Sequence, residues 1–150
     1  MPPPSLPVVL DTNVVLDLWI FQDPAVNPLA DALASGEVTA WADEDTLTEL
    51  ELVLAYPTFN LDEAARRDIS SRYRNLVRMV PRELDTPQPH LPRCRDRDDQ
   101  KFLVLAARVG ASWLVSKDKR VLSMADWHGL PFEILSARRA VERLRPCKTG

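Results

Sequence analysis

The pattern of apolar and polar positions alternates between short buried runs and longer amphipathic stretches. Four runs are short, apolar and rich in β-branched or aromatic residues, which is typical of buried strands. They are Val8–Leu10, Val38–Trp41, Ser112–Ser116 and Phe132–Leu135. Because these runs alternate with helical stretches, the pattern predicts an α/β fold with a parallel sheet covered by helices.

The amphipathic stretches have apolar residues at helical spacing, and several follow a side chain that can cap a helix. Thr12 or Asn13 is expected to cap the first helix, and Gly36 to end the second. The predicted helices are Val14–Trp19, Leu29–Ala34, one between Asp43 and Pro57, Glu63–Met79 after Asp62, Asp98–Val109, one over Val121–Met124 after Asp118, and a basic terminal helix after Ser136. A further short strand is expected near Arg82–Leu84.

Length and composition favour one soluble domain. The chain has 150 residues, of which 45% are hydrophobic and 27% charged, so it can enclose a hydrophobic core. We expect a single domain over residues 1–150, with residues 1–6 flexible. No apolar run suits a membrane span or a secretory signal, and Cys94 and Cys147 match no zinc spacing. We therefore expect a cytoplasmic protein without membrane contact.

Charge is distributed unevenly along the chain. Residues 1–65 contain 12 Asp and Glu and no Lys or Arg, whereas residues 66–150 contain all 19 Lys and Arg and the other 10 acidic residues. This asymmetry suggests an acidic site beside a basic surface. Alternatively, folding interleaves the acidic and basic halves of the chain, so that their electrostatic fields cancel.

Several carboxylates stand in positions that favour a shared site. Asp11 directly follows the first predicted strand, and Asp118 follows the strand Ser112–Ser116. If the sheet is parallel, both lie at the same edge, where α/β folds bind ligands. Glu49 lies among core residues of a predicted helix. Asp96 and Asp99 stand at the start of another helix.

A cluster of such carboxylates calls for a counter-charge. Two like charges about 5 Å apart cost roughly 3 kcal/mol at an effective dielectric of about 20, and oxygen ligands suit Mg²⁺ or Mn²⁺. Taken singly, Glu49, Asp99 and Asp118 have structural alternatives as solvated or helix-capping residues. Asp11 does not, because a carboxylate after a buried strand is costly unless it is paired or metal-bound.

These acidic segments resemble the motifs of PIN-domain ribonucleases. The first is Val8–Leu16, with Asp11, and the second is Thr48–Leu50, followed by Val53-Leu54. Arg95–Leu103 and Gly110–Lys119 resemble the third and fourth. The four segments occur in order over nearly the whole chain. The resemblance implies a three-layer α/β/α sandwich with a short parallel sheet and Mg²⁺- or Mn²⁺-dependent cleavage of single-stranded RNA.

The resemblance also assigns roles to individual residues. The implied catalytic and metal-binding residues are Asp11, Glu49, Asp99 and Asp118, with Asp96 as an alternative ligand from the third motif. Asn13 and Ser116 would orient the carboxylates through hydrogen bonds. One position departs from the pattern, because Arg120 stands where many relatives have another Asp.

The implied substrate needs cations for its phosphates. Arg93, Arg95 and Arg97 adjoin the third motif and are the preferred RNA-binding residues; the arginine-rich fourth helix and the terminal helix are alternatives. The subgroup that the chain most resembles contains toxins of bacterial toxin–antitoxin pairs. That resemblance implies an antitoxin partner and a homodimer.

Two other functions compete with this interpretation. The first is a non-catalytic RNA- or protein-binding module on a PIN-like fold, which the change at Arg120 would allow. The second is a phosphatase of the haloacid-dehalogenase type, which also has Asp after its first strand. The motif of that family is Asp-x-Asp. Here Asn13 occupies the position of the second Asp, which counts against this alternative.

Overall fold

Five short strands form the centre of the protein. The computed structural model describes residues 5–80, 97–126 and 130–144, with side chains described from Gln100 onward in the second segment. The strands are β1 Leu6–Leu10, β2 Val38–Ala42, β3 Arg78–Met79, β4 Trp113–Val115 and β5 Glu133–Leu135. The four strands expected from the apolar runs are present. The strand expected near Arg82–Leu84 lies outside the described residues.

The strands form one parallel sheet in the order β3-β2-β1-β4-β5. β1 is central, and its Leu10 pairs with Val115 at the end of β4. Since both strands run in the same direction, the residues that follow them emerge at the same edge of the sheet. The predicted α/β fold with a parallel sheet is confirmed.

Helices flank the sheet, and none of the described ones is long and apolar enough to cross a membrane. They are α1 Thr12–Trp19, α2 Asn27–Ser35, α3 Glu44–Leu54, α4 Glu63–Leu76, α5 Arg97–Val109, α6 Lys119–Leu122 and α7 Ala137–Leu144. Asp43 and Asp62 cap α3 and α4 by accepting hydrogen bonds from Thr46 N and Ala65 N, as predicted. Gly36 ends α2 in the left-handed conformation, with φ 84°.

Alternating side chains of the strands build a core on each face of the sheet. Val8 and Leu10 pack with apolar residues of α1, α2, α3, α4 and α7. Val9 and Leu114 face the opposite way and pack with α5 and α6. This arrangement is the three-layer α/β/α sandwich that the resemblance implied.

Two local predictions were wrong. The fourth helix was expected to continue to Met79, but α4 ends at Leu76. Val77 is already extended, with ψ 159°, and the next two residues pair with β2. Here a tertiary strand contact overrides the helical pattern. The cap of α1 is also one residue earlier than expected, at Asp11 rather than Thr12 or Asn13.

Folding interleaves the acidic and basic halves of the sequence. Arg74 of α4 lies 3.6 Å from carboxylate oxygens of Glu44 and Glu51 in α3. Lys117 pairs with the buried Asp17 of α1 at 2.9 Å. Part of the charge asymmetry along the chain is therefore neutralised locally by cross-pairs between the two halves.

Candidate active site

Asp11 and Asp118 lie at the same edge of the sheet, as the parallel topology required. Asp11 directly follows β1, and its backbone N–H donates to the carbonyl oxygen of Val115 at 2.9 Å. Asp118 follows β4 after a two-residue loop, Ser116 and Lys117. The register between β1 and β4 thus brings together two acidic residues that are 107 positions apart in the sequence.

The Asp11 carboxylate is buried, with only 4% of the residue exposed. Ser116 Oγ donates a hydrogen bond of 2.6 Å to its Oδ2, and the backbone of Thr12 contributes another. Burial nevertheless raises the pKa of Asp11 to about 6, and the negative charges of Glu49 and Asp118 add to the rise. The two hydrogen bonds offset the effect only in part. Asp11 therefore stands in a field that would favour a bound cation.

Asp118 has a structural and an electrostatic role at once. Its backbone N–H donates to Ser116 Oγ at 3.0 Å, and its Oδ1 accepts from Arg120 N at 2.8 Å. The carboxylate caps α6, as the sequence indicated. The negative charge of Asp118 still contributes to the raised pKa of Asp11, so Asp118 remains part of the site although it caps a helix.

Glu49 is held from two sides. Thr12 Oγ1 donates to Glu49 Oε2 at 2.5 Å, and Lys101 Nζ lies 3.0 Å from Oε1. Both members of this ion pair are largely shielded, with side-chain exposures of 17% for Glu49 and 27% for Lys101. Sequence reasoning missed Thr12 and Lys101. The available signals were their positions inside the first and third motifs.

Asn13 supports the site indirectly. It was expected to orient a carboxylate, but its described hydrogen bond is accepted by Oδ1 from the backbone N–H of Lys117 at 3.2 Å. Lys117 in turn contacts Asp17 through its ammonium group. Asn13 thus ties α1 to the loop that carries Asp118. Ser116, the other residue predicted to orient the site, does contact a carboxylate.

The third motif is only partly within the described residues. Arg97 and Asp99 belong to the first turn of α5, but their side chains are not described. Asp96, Arg93 and Arg95 lie outside the described residues. Among the side chains that the structure does describe, no group of three or more Asp, Glu, His or Cys residues is arranged to hold a metal ion.

The donor chemistry of this edge nevertheless fits a hard divalent cation. Asp11, Glu49 and Asp118 offer only carboxylate oxygens, which Mg²⁺ and Mn²⁺ prefer. The raised pKa of Asp11 shows that its ionised form lacks compensation for burial and for its acidic neighbours. A cation at this edge would supply that compensation.

Comparison with protein families agrees with the parallel α/β fold. The family model of the PIN domain matches residues 7–120, well over half of the chain. The chain therefore belongs to the PIN domain family. No curated protein matches it significantly. PIN domains are generally nucleases, and this assignment replaces the haloacid-dehalogenase alternative.

Proposed function

We propose that this protein is an endoribonuclease that cleaves single-stranded RNA with the help of Mg²⁺ or Mn²⁺. Asp11, Glu49, Asp99 and Asp118 would hold the cation, with Asp96 as the alternative ligand from the third motif. The observation that carries the proposal is the buried Asp11 carboxylate, whose pKa is raised to about 6 beside two further acidic residues. Such perturbed carboxylates concentrate at functional sites.

The chain supplies a preorganised set of oxygen ligands. Ser116 Oγ fixes one oxygen of Asp11 and also the backbone N–H of Asp118, so both residues keep one relative position. A divalent cation, when bound, would activate water and stabilise the charge that develops on the phosphate. Ordered ligands reduce the reorganisation needed at that stage.

Glu49 completes the edge from a neighbouring layer. The Thr12 hydroxyl sets the direction of one carboxylate oxygen, and Lys101 neutralises the other in the absence of a cation. Glu49 would be one of the ligands of the cation, and Lys101 is its described partner in the protein without metal.

The biological role extends the proposal further. Arg93, Arg95 and Arg97 would contact RNA phosphates beside the third motif. By its resemblance to bacterial toxins, the protein would act in the cytoplasm as a homodimeric toxin restrained by an antitoxin protein. These roles rest on the resemblance, whereas the chemistry rests on the acidic edge.

Cleavage of a labelled single-stranded RNA tests the chemistry directly. Wild-type protein is expected to cleave with Mn²⁺ or Mg²⁺ and to be inactive with EDTA. Asp11→Asn should abolish cleavage because it removes a ligand charge at nearly constant shape. Asp62→Asn is the matched control, since it removes one Asp charge at the α4 cap, where Asn caps equally well. Full activity of folded Asp11→Asn would overturn the assignment.

A non-catalytic binding module is the second candidate. Two observations favour it. Arg120 stands where the resemblance to PIN-domain ribonucleases implies another Asp, and the described side chains form no group of three metal-binding residues. RNA binding that neither Mn²⁺ nor Mg²⁺ converts into cleavage would favour this function over the nuclease.

A further inference from the structure

A cleft adjoins the acidic edge on the side of α3 and α5. Its volume is about 490 Å³, which lies within the range of about 300–1,000 Å³ for small-ligand pockets. Glu49 and Lys101 line it, together with Thr48, Leu52 and Tyr56. Because Glu49 belongs to both, a ligand in the cleft would extend directly from a phosphate placed at the acidic edge.

One wall of the cleft carries an exposed aromatic ring. Tyr56 is 53% exposed and follows directly on Ala55, the last cap residue of α3. Its ring lies nearly parallel to that of Phe59, at 6° and a centroid distance of 6.5 Å. An aromatic ring that lies against a second ring and is open to solvent is a suitable platform for a planar ligand.

The cleft also contains the positively charged ammonium group of Lys101. Lys101 Nζ is anchored by Glu49 Oε1 at 3.0 Å, and its side chain remains partly exposed. The lysine ammonium group has three N–H donors, so Lys101 can donate to a phosphate oxygen while it keeps its contact with Glu49. Aromatic ring and ammonium group therefore lie in one cleft, as the base and the phosphate of a nucleotide require.

We propose that this cleft is a nucleotide subsite, in which Tyr56 stacks on a base of single-stranded RNA and Lys101 contacts the adjoining phosphate. This inference rests on the proposed function, because it takes RNA as the substrate of the acidic edge. An unmodified peptide could use the apolar wall of Leu52 and Tyr56 but has no phosphate for Lys101. The continuity with Glu49 favours the nucleotide.

Binding of a short single-stranded RNA that contains 2-aminopurine tests the subsite, with EDTA present so that no cleavage occurs. Tyr56→Ala should weaken binding roughly 5- to 150-fold, the range for loss of one base–aromatic stack. Tyr56→Phe should bind like wild type. Phe21→Ala is the matched control: Phe21 is 57% exposed and also contacts Phe59, but it does not line the cleft.

The effect of Tyr56 should depend on a particular base. In a set of RNAs with a single abasic position, one of them should bind wild type and Tyr56→Ala with the same affinity, because the stack is then already missing. Equal weakening by Tyr56→Ala and Phe21→Ala, or an unchanged Tyr56 effect on every abasic RNA, would overturn the subsite. So would the absence of RNA binding by the wild-type protein.

Salt dependence tests the contact of Lys101. Lys101→Met should reduce the slope of log K against log salt by about 0.7, the value for one phosphate contact on a single strand, whereas Lys101→Arg should retain it. A weaker affinity with an unchanged slope would indicate a structural role and contradict the contact. Failure here is distinct from failure of the nuclease proposal, which is decided separately by cleavage with Mn²⁺.

Discussion

Ser116 Oγ connects the two acidic residues that follow neighbouring strands. It donates to Asp11 Oδ2 at 2.6 Å and accepts from the backbone N–H of Asp118 at 3.0 Å. Ser116 is completely buried, so water does not compete for either bond. One hydroxyl group therefore holds the Asp11 carboxylate next to the backbone of Asp118 and stabilises the charge on Asp11.

Removing this hydroxyl should reduce activity and shift its pH dependence. Ser116→Ala is expected to lower the cleavage rate about 10- to 100-fold, as for other residues that orient metal ligands. The pKa of Asp11 should rise further, because a hydrogen bond to its ionised form is lost. The acidic limb of the rate–pH profile should therefore move to higher pH. Ser112→Ala, before β4, is the control; the same profile in both variants would contradict the role.

The raised pKa of Asp11 predicts a pH-dependent effect on stability. Its ordinary value is 3.8 and its folded value about 6, so folding favours the protonated form. This favourable contribution is complete below about pH 4 and is lost as pH rises through about 6. At pH 8 without metal, Asp11→Asn should be more stable than wild type by up to about 3 kcal/mol. Urea unfolding at pH 3.5 and 8 measures this, and an equal difference at both pH values would refute it.

Divalent cations should stabilise the wild-type fold. Binding to the folded state alone raises the free energy of unfolding by about 2.7 kcal/mol at 100 times Kd. Mn²⁺ and Mg²⁺ should thus raise the Tm of wild type and of Asp62→Asn. The Tm of Asp11→Asn should rise much less. The experiment is a thermal melt with metal and with EDTA. An equal rise in all three proteins would place the cation elsewhere.

The Thr12 hydroxyl should control how well Glu49 serves as a ligand of the metal ion. Thr12→Val preserves shape but removes the donor to Glu49 Oε2, so we expect a loss of activity of about tenfold and a weaker apparent affinity for Mn²⁺. Thr12→Ser should restore most of both because it keeps the hydroxyl. Titration of the cleavage rate with Mn²⁺ provides the measurement. If Ser and Val variants behaved alike, the hydroxyl would have no part in the site.

Most of the fold could be predicted from the sequence. Buried strands and amphipathic helices are encoded by local periodicity, and the caps Asp43, Asp62 and Asp118 mark where helices begin. The boundary at Leu76 could not be predicted in this way. The segment after it is helical by pattern, and only the neighbouring edge of β2 makes an extended conformation favourable.

The sequence by itself determined which acidic residues were candidates and that a parallel sheet would bring Asp11 and Asp118 to one edge. The tertiary structure alone decided how they are held. The contacts of Ser116 with Asp11, Thr12 with Glu49 and Glu49 with Lys101 join residues that are 105, 37 and 52 positions apart. The spacing of apolar residues indicates which face of a helix or strand a residue lies on. The residue that it contacts in a neighbouring layer depends on strand register and helix packing, which no local pattern specifies.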